Sequence, residues 1–321
     1  MPLSGKDPRE ERLDQLKQAA RAAESAPRPQ APAGYYGRPI VKPPVWTWEI
    51  PLYFFVGGTA GMSAVIALAC VATHGNLELV RAALWLALGG ALLSPLLLVL
   101  DLGRPARFLN MLRVLKLRSP MSVGVWTLVL FSTFTLAAVL VFEGFRSASD
   151  LGVSFHTASD LLFGLTLLAG ATGALLAAYT GVLLGMTAVP AWHAHRYTLP
   201  LHFGIAGLGA AAALLELMGF RLHALDALGA GAAALETVIG AWIELYRHGA
   251  ADRALHRGTA ATLLRTAGVL SGPVALALRL GGLVPAAAAS FVLGALLSRY
   301  GWVMAGRASA GDPRAALPDA A

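Results

Sequence analysis

Residues 46–73 read WTWEIPLYFFVGGTAGMSAVIALACVAT. One charge, Glu49, heads a run that is otherwise apolar or small, long enough for a helix to cross the roughly 30 Å hydrocarbon core of a bilayer. Comparable runs recur along the 321 residues, and we place eight of them near 47–73, 77–100, 121–142, 158–189, 199–220, 223–246, 264–280 and 283–305. The sixth is rich in Ala and Gly, and the seventh is short and holds Pro273. Composition points the same way: 56% of residues are hydrophobic, 13% are charged and the mean hydropathy is +0.63. A soluble domain carries about 25% charged residues. The expected fold class is therefore an all-α integral membrane protein with eight transmembrane helices.

The flanks differ from the runs. Residues 1–46 form a polar tail in which 8–24 (PREERLDQLKQAARAAE) are charged and helix-prone, with a thin apolar line of Leu13, Leu16 and Ala20, and 25–45 are a Pro- and Gly-rich linker. A short surface helix and a disordered tail are equally open readings of 8–24. No secretory signal is expected there, since a 7–15-residue apolar core is missing. The membrane domain spans 47–306, and 307–321 read as a disordered C-terminal tail.

Eight spans put both termini on one side, together with the loops after spans two, four and six. Those three loops hold 10 Lys and Arg, whereas the opposite side holds 4: Arg81, Arg146, Arg221 and Arg279. The positive-inside rule places both termini in the cytoplasm. The net charge of +7 is thus a statement about topology, and no nucleic acid partner is expected. Cys70 is the one cysteine, so this chain can build neither a Cys-ligated iron–sulfur cluster nor a CxxCH haem attachment. None of the eight histidines sits centrally in a span, which excludes a di-haem cytochrome b, and no metal site is expected.

Ionisable groups inside a membrane are costly and mark functional candidates. Glu49 and Tyr53 lie at i and i+4, on one helix face, where a carboxylate and a phenol can hold the carbonyl or hydroxyl of a lipid-soluble ligand and trade protons with it. The plainer reading is a helix-dipole carboxylate beside an interfacial aromatic belt of Trp46 and Trp48. Asp101 and Arg104 in Asp-Leu-Gly-Arg-Pro can pair at the membrane boundary, or can simply cap and turn the chain. Tyr179 is about 16 Å short of Pro190 along the fourth helix, too deep for an interfacial anchor on that side, and is expected to face the bundle. His193 and His195 read as solvated loop histidines. Glu236, near the middle of the sixth span, and Glu216 and His202, which flank the fifth, are candidates for a proton relay, with packing as the alternative for Glu236. Glycines four apart, Gly57 with Gly61 and Gly181 with Gly185, read as close helix packing.

Four motifs taken together carry a resemblance: W-x-W-E-I-P-L-Y-F-F-x-G-G-x-A-G at 46–61, D-L-G-R-P-x-R-F at 101–108, S-P-M-S-x-G-x-W at 119–126, and Y-T-G-V-L-L followed by P-x-W at 179–192. The chain resembles the NrfD/polysulfide-reductase membrane-subunit family. The resemblance implies two four-helix bundles and a site for menaquinone or ubiquinone among the first four helices. It implies electron exchange with a separate ferredoxin-like iron–sulfur subunit, which serves a catalytic subunit, often a molybdopterin oxidoreductase, in the bacterial cytoplasmic membrane. Carried over, the quinone contacts fall on Glu49, Tyr53 and Tyr179, with Asp101 and Arg104 at the turn; Glu49 is the expected proton exchanger. The chain would then be the quinone-reactive subunit of an oxidoreductase complex without the catalytic centre itself. A proton-coupled small-molecule transporter built on Glu236, Glu216 and His202, and a purely structural anchor, are the competing functions.

Overall fold

The computed structural model describes residue 18, residues 41–42, 44–101, 112–147, 155–246 and 249–316. The chain divides into Met1–Pro39 and Ile40–Ala321. The second unit holds the membrane helices: α1 Glu49–Ala72, α2 Leu77–Asp101, α3 Pro120–Ser147, α4 Phe155–Gly185, α5 Thr198–Leu217, α6 His223–Leu245, α7 Thr259–Leu280 and α8 Val284–Ala310. All eight are long and apolar enough to cross a bilayer, as expected. Short helical turns at Pro190–Ala194, Gly249–Asp252, Arg253–His256 and Pro313–Ala316 lie between or beyond them.

Boundaries depart from expectation by three to five residues at several ends: α3 runs on to Ser147 past 142, α4 is Phe155–Gly185 against 158–189, and α5 stops at Leu217 short of 220. The seventh span starts at Thr259 rather than near 264, because Gly258 turns the chain at φ 85° and small residues follow it. The eighth runs on to Ala310, past the 305 expected, and Ser309 and Ala310 are buried. The expectation of a disordered tail from 307 is corrected for 307–316: Ser309 Oγ accepts from the Ala191 amide at 3.3 Å, and Asp312 pairs with Arg253 at 2.6 Å. Both contacts reach residues more than 50 positions away, which no local pattern reveals.

Packing follows the small residues. In the first half α1 packs against α2 and α4, and α3 against α2 and α4; in the second half α5 packs against α6 and α8, and α7 against α6 and α8. α5 also packs on α1 and α4. The tightest crossing is between α1 and α4, where a Cβ on Gly61 would run into the Gly173 backbone and one on Gly173 into that of Gly61. With lipid outside, such close backbone approach replaces the hydrophobic effect as the main attraction between helices. Gly181 and Gly185 likewise leave no room for a Cβ, against Leu199 and Arg196, so the packing reading holds for Gly61, Gly181 and Gly185, whereas a Cβ on Gly57 would make only ordinary contacts.

Two prolines interrupt helices, and at each a serine of the neighbouring helix approaches a backbone carbonyl of the same turn. Pro95 in α2 cannot donate to the Ala91 carbonyl, and Ser132 of α3 approaches that oxygen at 3.4 Å. In α7, residues Leu270–Val274 widen into a π-turn around Gly272 and Pro273, and Ser290 of α8 donates to the Leu270 carbonyl at 2.8 Å. α3, the counterpart of α7 in the first half, is unbroken.

Ion pairs mark the face remote from Glu49. Arg81 of α2 pairs with Glu143 of α3 at 2.6 Å. Arg279, at the end of α7, is buried and forked onto Glu216 of α5 at 2.6 and 2.8 Å, with Asp226 of α6 at 2.8 Å. A bidentate Arg–carboxylate pair with a second carboxylate satisfies most of the desolvated charge. Arg279 therefore ties α5, α6 and α7 together.

Candidate functional site

Near the Glu49 face, α1 to α4 enclose a cavity of about 90 Å³. Its walls are Ile50, Tyr53 and Phe54 of α1, Leu98 and Asp101 of α2, Met121, Gly124 and Val125 of α3, and Tyr179 and Leu183 of α4, with Trp46 above. Helix antiparallelism explains the meeting. Tyr53 is one turn into α1, Asp101 ends α2, and Gly124 is one turn into α3, while Tyr179 lies six residues before the end of α4; all four fall at the same depth.

Each polar group there has a definite state. The Tyr179 hydroxyl donates to the Pro120 carbonyl at 2.6 Å, leaving its oxygen lone pairs as acceptors. Gly124 is required beneath it, since a Cβ there would collide with the Tyr179 ring. The S-P-M-S-x-G-x-W motif is thereby explained in part: its proline carbonyl anchors the phenol and its glycine makes space. Tyr53 is buried and its hydroxyl makes no hydrogen bond among the described residues, so an O–H donor is left to the cavity. Asp101 completes the polar set.

Glu49 lies beside this cavity rather than in its wall. Thr47 donates to the Glu49 carboxylate, and its hydroxyl oxygen lies 3.5 Å from Asp101 Oδ1, so Thr47 stands between the two carboxyl groups. Tyr300 of α8 donates to the Trp48 carbonyl at 3.1 Å and holds the entry to α1. Trp46 is stacked on Trp192 at 5.3 Å and meets Phe54 edge-on at 6.0 Å. Trp192 in turn donates to the Trp302 carbonyl at 2.7 Å. The interfacial-belt reading of Trp46 and Trp48 fits the exposed Trp48 alone; Trp46 is a roof over the cavity. Arg104 lies outside the described residues.

A second, larger cavity of about 440 Å³ lies among α5 to α8. Its polar wall is a chain: Glu236 of α6 meets His202 Nδ1 of α5 at 3.0 Å, and His202 Nε2 meets Ser298 of α8 at 2.7 Å. All three are buried. The proton-relay trio expected from the sequence is thus divided: Glu236 and His202 adjoin, whereas Glu216 is held by Arg279 in the salt-bridge cluster of the opposite face. Glu216 accepts both hydrogen bonds of the Arg279 fork and makes no contact with the Glu236–His202–Ser298 chain among the described residues, so it does not join those two as the sequence reading expected.

His195 also differs from expectation. It is 1% exposed, with Nε2 3.0 Å from Asp252 Oδ1, and it packs edge-on against Trp302 at 5.4 Å. A loop histidine reads as solvated until the loop is seen folded under a second one. Arg299, buried over the Phe203 ring at 4.0 Å and donating to the Phe203 carbonyl at 2.9 Å, is a further intramembrane charge that the sequence shows but motif reading passed over. Ser298 carries no signal of its own. Among the described residues, no cluster of three His, Cys, Asp or Glu side chains has the geometry to hold a metal ion.

These observations define a class first: a multi-pass helical membrane protein with a small polar-edged cavity among its first four helices. The family model described as polysulphide reductase, NrfD, matches residues 40–247, which takes in α1 to α6 and every side chain of the first cavity. The chain belongs to the NrfD family. No curated protein matches it.

Proposed function

We propose that the chain is the quinone-reactive membrane subunit of an oxidoreductase complex, passing electrons between a membrane quinone pool and a ferredoxin-like iron–sulfur subunit that serves a separate catalytic subunit. The observation that carries this reading is the convergence of Tyr53, Asp101 and Tyr179, drawn from three helices, on one apolar cavity at the basic face of the bundle. Converting a quinone into a quinol takes two electrons and two protons, so a site needs hydrogen-bond partners for two oxygens, a proton exchanger and an electron donor. Tyr53 supplies a free O–H for a carbonyl and Tyr179 an acceptor for a hydroxyl. Asp101 and Glu49, with Thr47 between them, form a carboxyl pair that takes up or delivers protons at the membrane edge. Arg104 is assigned to the same edge on the strength of the motif.

The cavity is small, about 90 Å³, so a ring in it touches most of its wall. Met121, unbranched and half-exposed, is an adaptable part of that wall. Electrons come from outside the chain. The loop between α2 and α3 carries Arg113, Lys116 and Arg118, and the positive-inside rule puts that face and both termini in the cytoplasm of a bacterium. The iron–sulfur partner docks there in this reading. Protease treatment of sealed spheroplasts tests the orientation: the N-terminal tail should survive until the cells are opened, and cleavage from outside would reverse it.

The purified complex carrying Glu49→Gln or Tyr53→Phe should lose quinone turnover by about 10²-fold, the range of a general acid–base contribution, while dye-linked activity at the catalytic subunit is kept. Unchanged quinone turnover in both variants would remove the site. A transporter reading has one observation behind it, the broken α7 beside Glu236, and lacks the second broken helix that an inverted repeat would place in α3.

A further inference from the structure

We propose that the cavity among α5 to α8 is a second binding site for a lipid-soluble ring bearing carbonyl or hydroxyl oxygens, a quinone-type molecule held for occupancy rather than turnover. Its volume of about 440 Å³ lies within the roughly 300–1,000 Å³ of small-molecule pockets, and several times exceeds that of the first cavity. The lining has the division of labour that such pockets have. Most of the wall is apolar, including Ile239, Leu264, Val269 and Trp302, and the polar groups gather on one side as the Glu236–His202–Ser298 chain.

The mouth opens between α6 and α7. There the half-buried Gly240 and Gly268 and the exposed Ala241 present little side chain, and the Glu244–Arg265 ion pair at 2.7 Å bridges the two helices toward the basic face. A tail can therefore remain in lipid while a ring enters. The π-turn of α7 contributes Ser271 and Pro273 to the same wall, so the local widening of that helix is part of the cavity's shape.

The chain also accounts for both oxidation levels of such a ligand. With Glu236 ionised, His202 Nδ1–H donates to it and Nε2 accepts from Ser298, leaving the serine oxygen to accept from a ligand hydroxyl. With one proton on Glu236, the chain reverses: the carboxylic acid donates to Nδ1, Nε2–H donates to Ser298, and the serine O–H is free for a ligand carbonyl. A purely structural serine would need neither state. Among the described residues Trp302 lies 6.3 Å from His202, ring to ring, and supplies a flat wall beside this polar end.

Photolabelling of the purified intact complex with an azidobenzoquinone carrying a decyl tail, followed by peptide mapping, tests the assignment. Label is expected on α7 between Leu264 and Pro273, in addition to whatever labels α1 to α4. Gly268→Leu and Gly240→Leu fill the cavity from positions whose Cβ meets nothing within 4 Å, so the fold is left intact, and each should cut the α7 label about tenfold. Ser298→Ala should cut it about three- to tenfold, the worth of one hydrogen bond. Tyr53→Phe should leave it unchanged, which separates this site from the proposed turnover site. Absence of label from α6 to α8, label that persists in Gly268→Leu, or equal displacement by phospholipid would each overturn the proposal.

Discussion

The two cavities are built on opposite plans. In the first, Tyr53, Asp101 and Tyr179 come from three helices, share no hydrogen bond with one another, and leave one hydroxyl unpaired in about 90 Å³. In the second, Glu236, His202 and Ser298 form an unbroken chain along one side of about 440 Å³. Separate groups with open valences suit chemistry at a ligand, because each oxygen of the ligand finds its own partner. A linked chain suits a group whose donor and acceptor roles must change together. In the proposed assignment it is the state of each polar atom, and not cavity size, that tells the turnover site from the other cavity.

The largest expected effect separates scaffold from site. Arg279→Met removes the cation between Glu216 and Asp226 and leaves Glu216 buried without its partner, at a cost of about 3–5 kcal/mol. Unfolding in mixed micelles should report that loss, and Glu216→Gln combined with Arg279→Met should recover much of it. If the single variant were as stable as the parent, the α5–α6–α7 cluster would not be structural, and Glu216 would return to the list of relay candidates.

Next in size, Gly124→Val drives a side chain into the Tyr179 ring and breaks its bond to Pro120. Quinone turnover should fall about 10²-fold, the penalty for displacing a positioned group by an ångström or so, with dye-linked activity unchanged. The matched change in the other half, Ser298→Ala, should leave turnover within about twofold, because it breaks a single hydrogen bond away from the reacting ring. Equal losses in both variants would erase the distinction between the cavities. Smallest is Ser132→Ala, which strips the Ala91 carbonyl beside Pro95 of its cross-helix donor and should cost about 0.6 kcal/mol in the same unfolding assay.

How far the sequence could be read differs between the halves for a physical reason. The spans are legible because a bilayer demands some twenty apolar residues in a row, and all eight are found; only ends shift, by up to five residues, as at Ser147, Gly185, Thr259 and Ala310. Tyr53, Asp101 and Tyr179 could be nominated because a polar atom in a span is conspicuous and because their motifs are specific. That the three line one cavity follows from helix depths that antiparallel packing equalises. Arg279 and Arg299 were equally conspicuous as charges in apolar runs, yet counting them with loops and tail hid them. Ser298 and the pairing of His195 with Asp252 had no signal, since serine is unremarkable in a membrane helix and a loop histidine is ordinarily wet.

By itself the order of residues determined an eight-helix membrane protein, its charge asymmetry and the motifs of its family, because hydropathy and local spacing act within one helix at a time. Tertiary structure alone decided which polar side chains meet. It sent Glu216 to Arg279 and His202 to Glu236, and it set Glu49 beside Asp101 through Thr47. Such pairings depend on how helices distant in sequence rotate and cross, and that is governed by close contacts such as Gly61 on Gly173, to which no single helix holds the key.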